Sequence, residues 1–137
     1  MGLFSFFRRW CGGRDDRWTV GTGADDGKLL IVRARQDVPA GIATERYRHL
    51  MIIGWKYAVD DERGMPSTAE ADRMATLEDA LDRSLERGRS AFMTAVVTCN
   101  GIREWQWYAR DPNEAEQFLN KGLSRYPRSD LDREPVV

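Results

Sequence analysis

The chain has 137 residues, 42% of them apolar, and a formal net charge of −1 from 21 basic and 22 acidic side chains. That is enough chain for one domain with its own core, and the balanced charge supplies no long-range positive field that would draw a nucleic acid. The two cysteines, Cys11 and Cys99, show no CxxC spacing and no pairing with the single histidine, His49, which argues against a disulfide framework or a zinc site and fits a reducing cytoplasm.

Residues 1–13 are an apolar and basic segment. The run Leu3 to Phe7 is too short to span a bilayer. Arg8 and Arg9 follow that run instead of preceding it, contrary to a secretory signal, and Phe6 stands where a myristoylation signal needs Ser or Thr. As a helix, Leu3, Phe6, Phe7 and Trp10 share one side. Membrane-surface contact through residues 1–10 is therefore one reading, and a terminus that docks on its own domain or on nothing is the other. Gly12-Gly13 separates this segment from the body.

The body opens with a hairpin, Trp18 to Thr22 and Leu29 to Arg35, joined by a turn at Asp25, Asp26 and Gly27. Leu29, Ile31, Arg33 and Arg35 share one face of the second strand by simple alternation. A loop with Pro39 and Gly41 leads to a third strand in which Met51, Ile53, Trp55 and Tyr57 point one way. Ser67 and Glu70 read as a reciprocal capping box at the start of a helix. Met74, Leu77, Leu81 and Leu85 form its apolar stripe, and Gly88 is placed to end it. The helix acids, among them Glu70, Glu78 and Glu86, read as a solvated outer face.

The stretch "VVTCNGIREWQWYARD" predicts a second hairpin, Ala91 to Cys99 and Ile102 to Ala109, on a two-residue Asn100-Gly101 turn. Counting from that turn pairs Thr98 with Arg103, Val96 with Trp105, Thr94 with Trp107 and Met93 with Tyr108. Phe92, Val96, Trp105 and Trp107 then share one face. Met93, Val97, Ile102, Glu104, Gln106 and Tyr108 share the other. Asp111-Pro112 opens a last helix with a stripe of Phe118, Leu119 and Leu123. Residues 125–137 read as an extended C-terminal tail that supplies at most one short strand. The order β-β-β-α-β-β-α over residues 17–124 is a single α+β domain, a two-layer sandwich with an antiparallel sheet and two helices on one face.

No catalytic set emerges. His49 has no nucleophile motif around it, no glycine-rich loop opens a helix, and the aspartates are scattered. Neither an enzyme nor a cofactor is expected. The binding candidates are Tyr108, Arg103, Glu104, Gln106, Trp55 and Asn100, polar and aromatic residues gathered around the second hairpin. One helix layer covers one sheet face, and this hairpin has two apolar faces, so the Tyr108 face is left for contact; Trp and Tyr are residues that anchor interfaces. The reading is a non-catalytic, cytoplasmic module that binds another protein, not nucleic acid. The alternative is a small-ligand binder or enzyme using a sheet-side pocket around Arg103, Glu104 and Tyr108.

The series "RWTVG", "DDGKLLIVR", "IIGWKYAVDDERGMPS", "LEDAL" and "VVTCNGIREWQWYARD" resembles the bacterial domain of unknown function 695, over residues 17 to 124. The resemblance implies a compact α+β domain of a cytoplasmic protein. It further implies kinship with the ferredoxin-like domain of the regulator of ribonuclease E activity B, a protein inhibitor, and thus a ferredoxin-like variant fold. It carries no established activity. Members of that family usually finish with an acidic, Pro- and Trp-containing end, and this chain ends "LDREPVV" without Trp.

Overall fold

The computed structural model describes residues 17–86 and 88–124, and the backbone of residues 131–135. The segment 1–13, and with it the membrane-surface reading, lies outside the described residues. Six strands form one sheet in the order β1-β2-β4-β5-β3-β6: β1 Trp18–Asp25, β2 Lys28–Arg35, β3 His49–Lys56, β4 Ala91–Cys99, β5 Ile102–Ala109 and β6 Leu131–Pro135. Every neighbouring pair is antiparallel. Helix α1 (Thr68–Leu85) joins β3 to β4, and α2 (Pro112–Gly122) lies between β5 and β6. From β3 onward this is a pair of interlocked split βαβ units, the ferredoxin-like arrangement, with the β1-β2 hairpin added at one edge. The arrangement needs β6, so the C-terminal tail is part of the sheet and the domain extends past residue 124.

The turns follow their residue chemistry. The first hairpin closes on Asp26 and Gly27 alone, at φ 49° and 75°, which lengthens β1 to Asp25. The second closes on Asn100 and Gly101, at φ 38° and 94°. Both are two-residue turns with positive φ at each position, which suits the twist of the strands they join.

The apolar core lies between the sheet and the helices. Met51, Ile53 and Trp55 of β3 and Trp105 and Trp107 of β5 meet Met74, Leu77, Leu81 and Leu85 of α1. From α2 come Ala115 and Leu119, with Leu123 just past its end; of the expected stripe Leu119 and Leu123 face inward, while Phe118 stays exposed and Ala115 takes the inward place. The two helices approach closely where Gly122 meets Ser84, for a Cβ at 122 would fall 1.8 Å from Ser84 Oγ.

Three local expectations fail for identifiable reasons. Ser67 Oγ accepts from Glu70 N at 3.1 Å, but the Glu70 carboxylate turns to the sheet instead of returning to the cap. The left-handed residue after α1 is Arg89, at φ 54°, not Gly88; Tyr47 Oη donates to the Arg89 carbonyl at 2.7 Å and holds it there. The third concerns β4. A bulge between Met93 and Ala95 puts Met93 opposite Trp107 and Phe92 opposite Tyr108. The extra residue reverses the facing of everything before it, so Met93 is core and Phe92 belongs to the other face. Arg35 Nε donates to the Met93 carbonyl at 2.8 Å, next to the bulge.

The connection from β3 to α1 clasps the tip of the second hairpin. Tyr57 N donates to Gly101 O at 2.9 Å, Tyr57 Oη donates to Gly64 O at 2.9 Å, and burial raises the Tyr57 pKa. Gly64 has φ 87°, and a Cβ there would lie 2.9 Å from Asn100 Cα. Gly64→Ala therefore combines left-handed strain with a backbone collision, and denaturant unfolding should show a loss of about 3 kcal/mol or more. At Gly27, with φ 75° but nothing within 4 Å, Ala should cost only about 1 kcal/mol.

Candidate binding surface

The sheet divides the candidate residues between its two faces. Arg103 and Trp55 point toward the helices and are buried. Glu104 and Gln106 are half-buried on the opposite, open face, and Tyr108 is 38% exposed there. Asn100 is exposed at the hairpin tip, against Gly64. No single pocket can join Arg103 to Glu104 and Tyr108, because both are an odd number of residues away along one strand and project to the other side.

The helix side holds a buried polar cluster. Glu78 is only 4% exposed. Its Oε1 accepts from Arg33 and, at 2.7 Å, from Trp105 Nε1. Arg103 Nε donates to Thr98 Oγ1 at 2.9 Å, the cross-strand pair expected from the turn. Burial pushes the Arg103 pKa down to about 10, with Glu78 raising it and neighbouring Arg33 lowering it further, so the guanidinium stays cationic at neutral pH. At one end of α1, Glu70 Oε1 accepts from Trp55 Nε1 at 2.7 Å, and Arg73 lies over the Trp55 ring at 5.4 Å. At the other end Glu86 pairs with Arg35. Trp18 covers both Arg33 and Arg35, with guanidinium carbons 5.1 and 4.8 Å from its ring centre.

Three acids read as part of a solvated helix face are therefore anchors to the sheet. A signal for two of them was present in the sequence: Glu70 and Glu78 stand four residues either side of Met74, in line with the apolar stripe. Arg33 and Arg35 occupy the facing side of β2, in the alternation already assigned to Ile31.

Among the described residues no helix covers the open face, and much of it is apolar. Leu30 and Val32 of β2, Val97 of β4, Ile102 of β5 and Ile52 of β3 are all half-buried along it. Register places Val32 beside Val97, and Ile52 beside Gln106. At one end Phe92 lies beneath Tyr47 and Tyr108, with ring centres 5.4 and 6.2 Å away. Phe92 was missed as a member of this face because nothing in its own sequence marks the bulge. Cys99, also on this face, has its pKa raised, chiefly by desolvation, which keeps it a thiol.

Among the described residues no group of three or more His, Cys, Asp or Glu side chains is placed to hold a metal, and no helix is long and apolar enough to cross a membrane.

Fold and surface together define a small α+β domain with helices over one side of an antiparallel sheet and, among the described residues, no helix over the other. The chain belongs to the family of unknown function DUF695, whose model matches residues 16–134. No curated protein and no solved structure matches it.

The cluster and the two faces have measurable consequences. Glu78→Ala removes the buried carboxylate that Arg33 pairs with and that accepts from Trp105 Nε1. Unfolding free energy should fall by about 3–5 kcal/mol, the scale for removing one partner of a buried ion pair. Trp105→Ala should cost a similar ~3–5 kcal/mol as a core aromatic, whereas Tyr108→Ala should cost under ~1 kcal/mol, because its ring is already partly in water.

Proposed function

We propose that this domain is a non-catalytic protein-binding module that docks another protein on its open sheet face, as a regulator or immunity-type inhibitor of the bacterial cytoplasm does. The observation that carries the reading is the surplus apolar face. The helices already bury the Trp105 and Trp107 side of the sheet, yet Val32, Val97, Ile102 and Ile52 line the other side, with Tyr108 at its margin. Glu104 and Gln106 on β5, beside Val97 and Ile52, and Lys56 at the end of β3 add polar groups to the patch, and such a mixture of apolar and polar groups is usual in a protein contact site. The likeness to the ferredoxin-like regulator of ribonuclease E activity B, a protein inhibitor, points the same way. The helix-side candidates, Arg103 and Trp55, act in this reading as internal struts, and Tyr108 as the anchor.

Affinity capture from the source organism's lysate, followed by titration of the recovered partner, tests the reading. Tyr108→Ala should weaken binding by about 2 kcal/mol, as an interface anchor does, with the thermal midpoint little changed. Val97→Asp should abolish binding by placing a charge in the middle of the contact. Capture that survives both substitutions would show that the open face is not the docking site.

A further inference from the structure

The outer edge of the sheet at β1 lacks the devices that normally keep an edge strand from pairing. Its eight residues run in unbroken register with β2, and none from Trp18 to Ala24 is charged or a proline. The sequence of the opposite edge strand, β6, is Leu-Asp-Arg-Glu-Pro, with both features. Charges, prolines and bulges are the usual protection of an edge. Among the described residues nothing lies on the outer side of β1, and Thr19 to Asp25 are all exposed, Val20 included.

The first hairpin settles which backbone groups point outward. Its two-residue turn makes Asp25 and Lys28 a hydrogen-bonded pair, so Thr19, Gly21, Gly23 and Asp25 direct their N–H and C=O groups to β2. Arg17 O continues the series by accepting from Gln36 N at 2.8 Å. The groups of Trp18, Val20, Thr22 and Ala24 therefore face outward.

The residues from Arg17 to Asp25 match their own reverse. Two copies in antiparallel contact, related by a two-fold axis normal to the sheet, must pair residues of like parity so that their helix layers lie on one side. With the axis at Gly21, Val20 falls opposite Thr22, Thr19 opposite Gly23, Trp18 opposite Ala24, and Arg17 opposite Asp25 at both ends. Each large side chain meets a small or β-branched one, each end is an opposite-charge pair, and the outward backbone groups meet as hydrogen-bonded pairs. Moving the axis to Thr22 sets Trp18 against Asp26 and loses the Arg17–Asp25 match. Arg17 meanwhile holds an exposed contact to Asp37 within its own chain, at 2.7 Å, which the second Asp can share or replace. We propose that two copies of this chain associate edge to edge through β1, with Gly21 on the two-fold axis and Arg17 of each copy paired with Asp25 of the other. The product is one continuous twelve-stranded sheet, with both open faces on the same side. This association does not rest on the open-face reading.

The test uses the full chain and its sedimentation equilibrium from micromolar to millimolar concentration. The wild type should form a dimer. Asp25→Arg should raise its dissociation constant about tenfold by setting like charges opposite each other. The double exchange Arg17→Asp with Asp25→Arg should restore it. In a Cys11→Ser, Cys99→Ala background, Gly21→Cys places two thiols across the axis in a non-hydrogen-bonded pair, with a Cα separation of about 4.5 Å, within disulfide range. The side chain has room, since a Cβ at Gly21 meets nothing within 4 Å. Mild oxidation should link Gly21→Cys chains rapidly. Gly23→Cys chains should stay unlinked, since their own copies lie four residues out of register, roughly 13 Å apart. A chain that stays monomeric throughout, a double exchange that fails to restore association, or equal cross-linking of both cysteine variants would each overturn the proposal.

Discussion

Glu78 is the residue on which the packing of helix on sheet depends. Its carboxylate lies in the buried layer between α1 and the strands and receives Arg33 from β2 and the indole N–H of Trp105 from β5. A charge at that depth is tolerable only with opposite charge and hydrogen bonds around it. The requirement reaches outward. Arg33 needs Trp18 over it, Arg103 needs Thr98 and the nearby Glu78 charge, and the rotation of α1 about its axis is set by which side chain must face β2. Apolar contacts alone would allow α1 to slide or roll by part of a turn. Glu70 on Trp55 and Glu86 on Arg35 remove that freedom at the two ends.

Once α1 is held in this way, the two sheet faces acquire different roles. The side with Trp105 and Trp107 is sealed, and α2 completes the seal through Ala115, Leu119 and Leu123. The other side keeps a run of branched aliphatic residues half in water. Such residues favour strands because they pack well on a pleated surface, and each makes its neighbours' partial exposure less costly. The bulge in β4 adds Phe92 to that side at one end, where Tyr47 and Tyr108 lean on it. The resulting face carries aliphatic side chains on either side of Glu104 and Gln106 in β5 and is aromatic at one corner.

Position within the sheet also explains why the polar residues of the second hairpin do not share one face. Arg103 and Glu104 are neighbours in sequence, but a pleated strand sends them to opposite sides. One becomes a buried cation in a network and the other a half-exposed acid beside Val97. Asn100 belongs to neither face: its positive φ serves the turn, and the connection after β3 packs against it. Residues that look like one constellation along the chain are three separate structural roles in space.

By itself the sequence determined most of the local structure, because local structure depends on near neighbours. Asn100-Gly101 specified the second hairpin and the pairing of Thr98 with Arg103, and the spacing of Met74, Leu77, Leu81 and Leu85 specified α1 and its inward side. The order of elements and the motifs shared with the family specified an α+β sandwich. Three things were decided only by the tertiary structure. The bulge at Met93–Ala95 depends on β5 and on Arg35, distant in sequence, and reverses the facing of Phe92 and Met93. The tail at 131–135 becomes a strand because β3 offers it an open edge, not because its own pattern demands one. Glu70, Glu78 and Glu86 are buried or half-buried because the sheet brings indole and guanidinium donors to meet them. An acid on a helix is read as solvated from its own sequence, since the groups that make its burial possible lie on other elements and meet it only when the chain has folded.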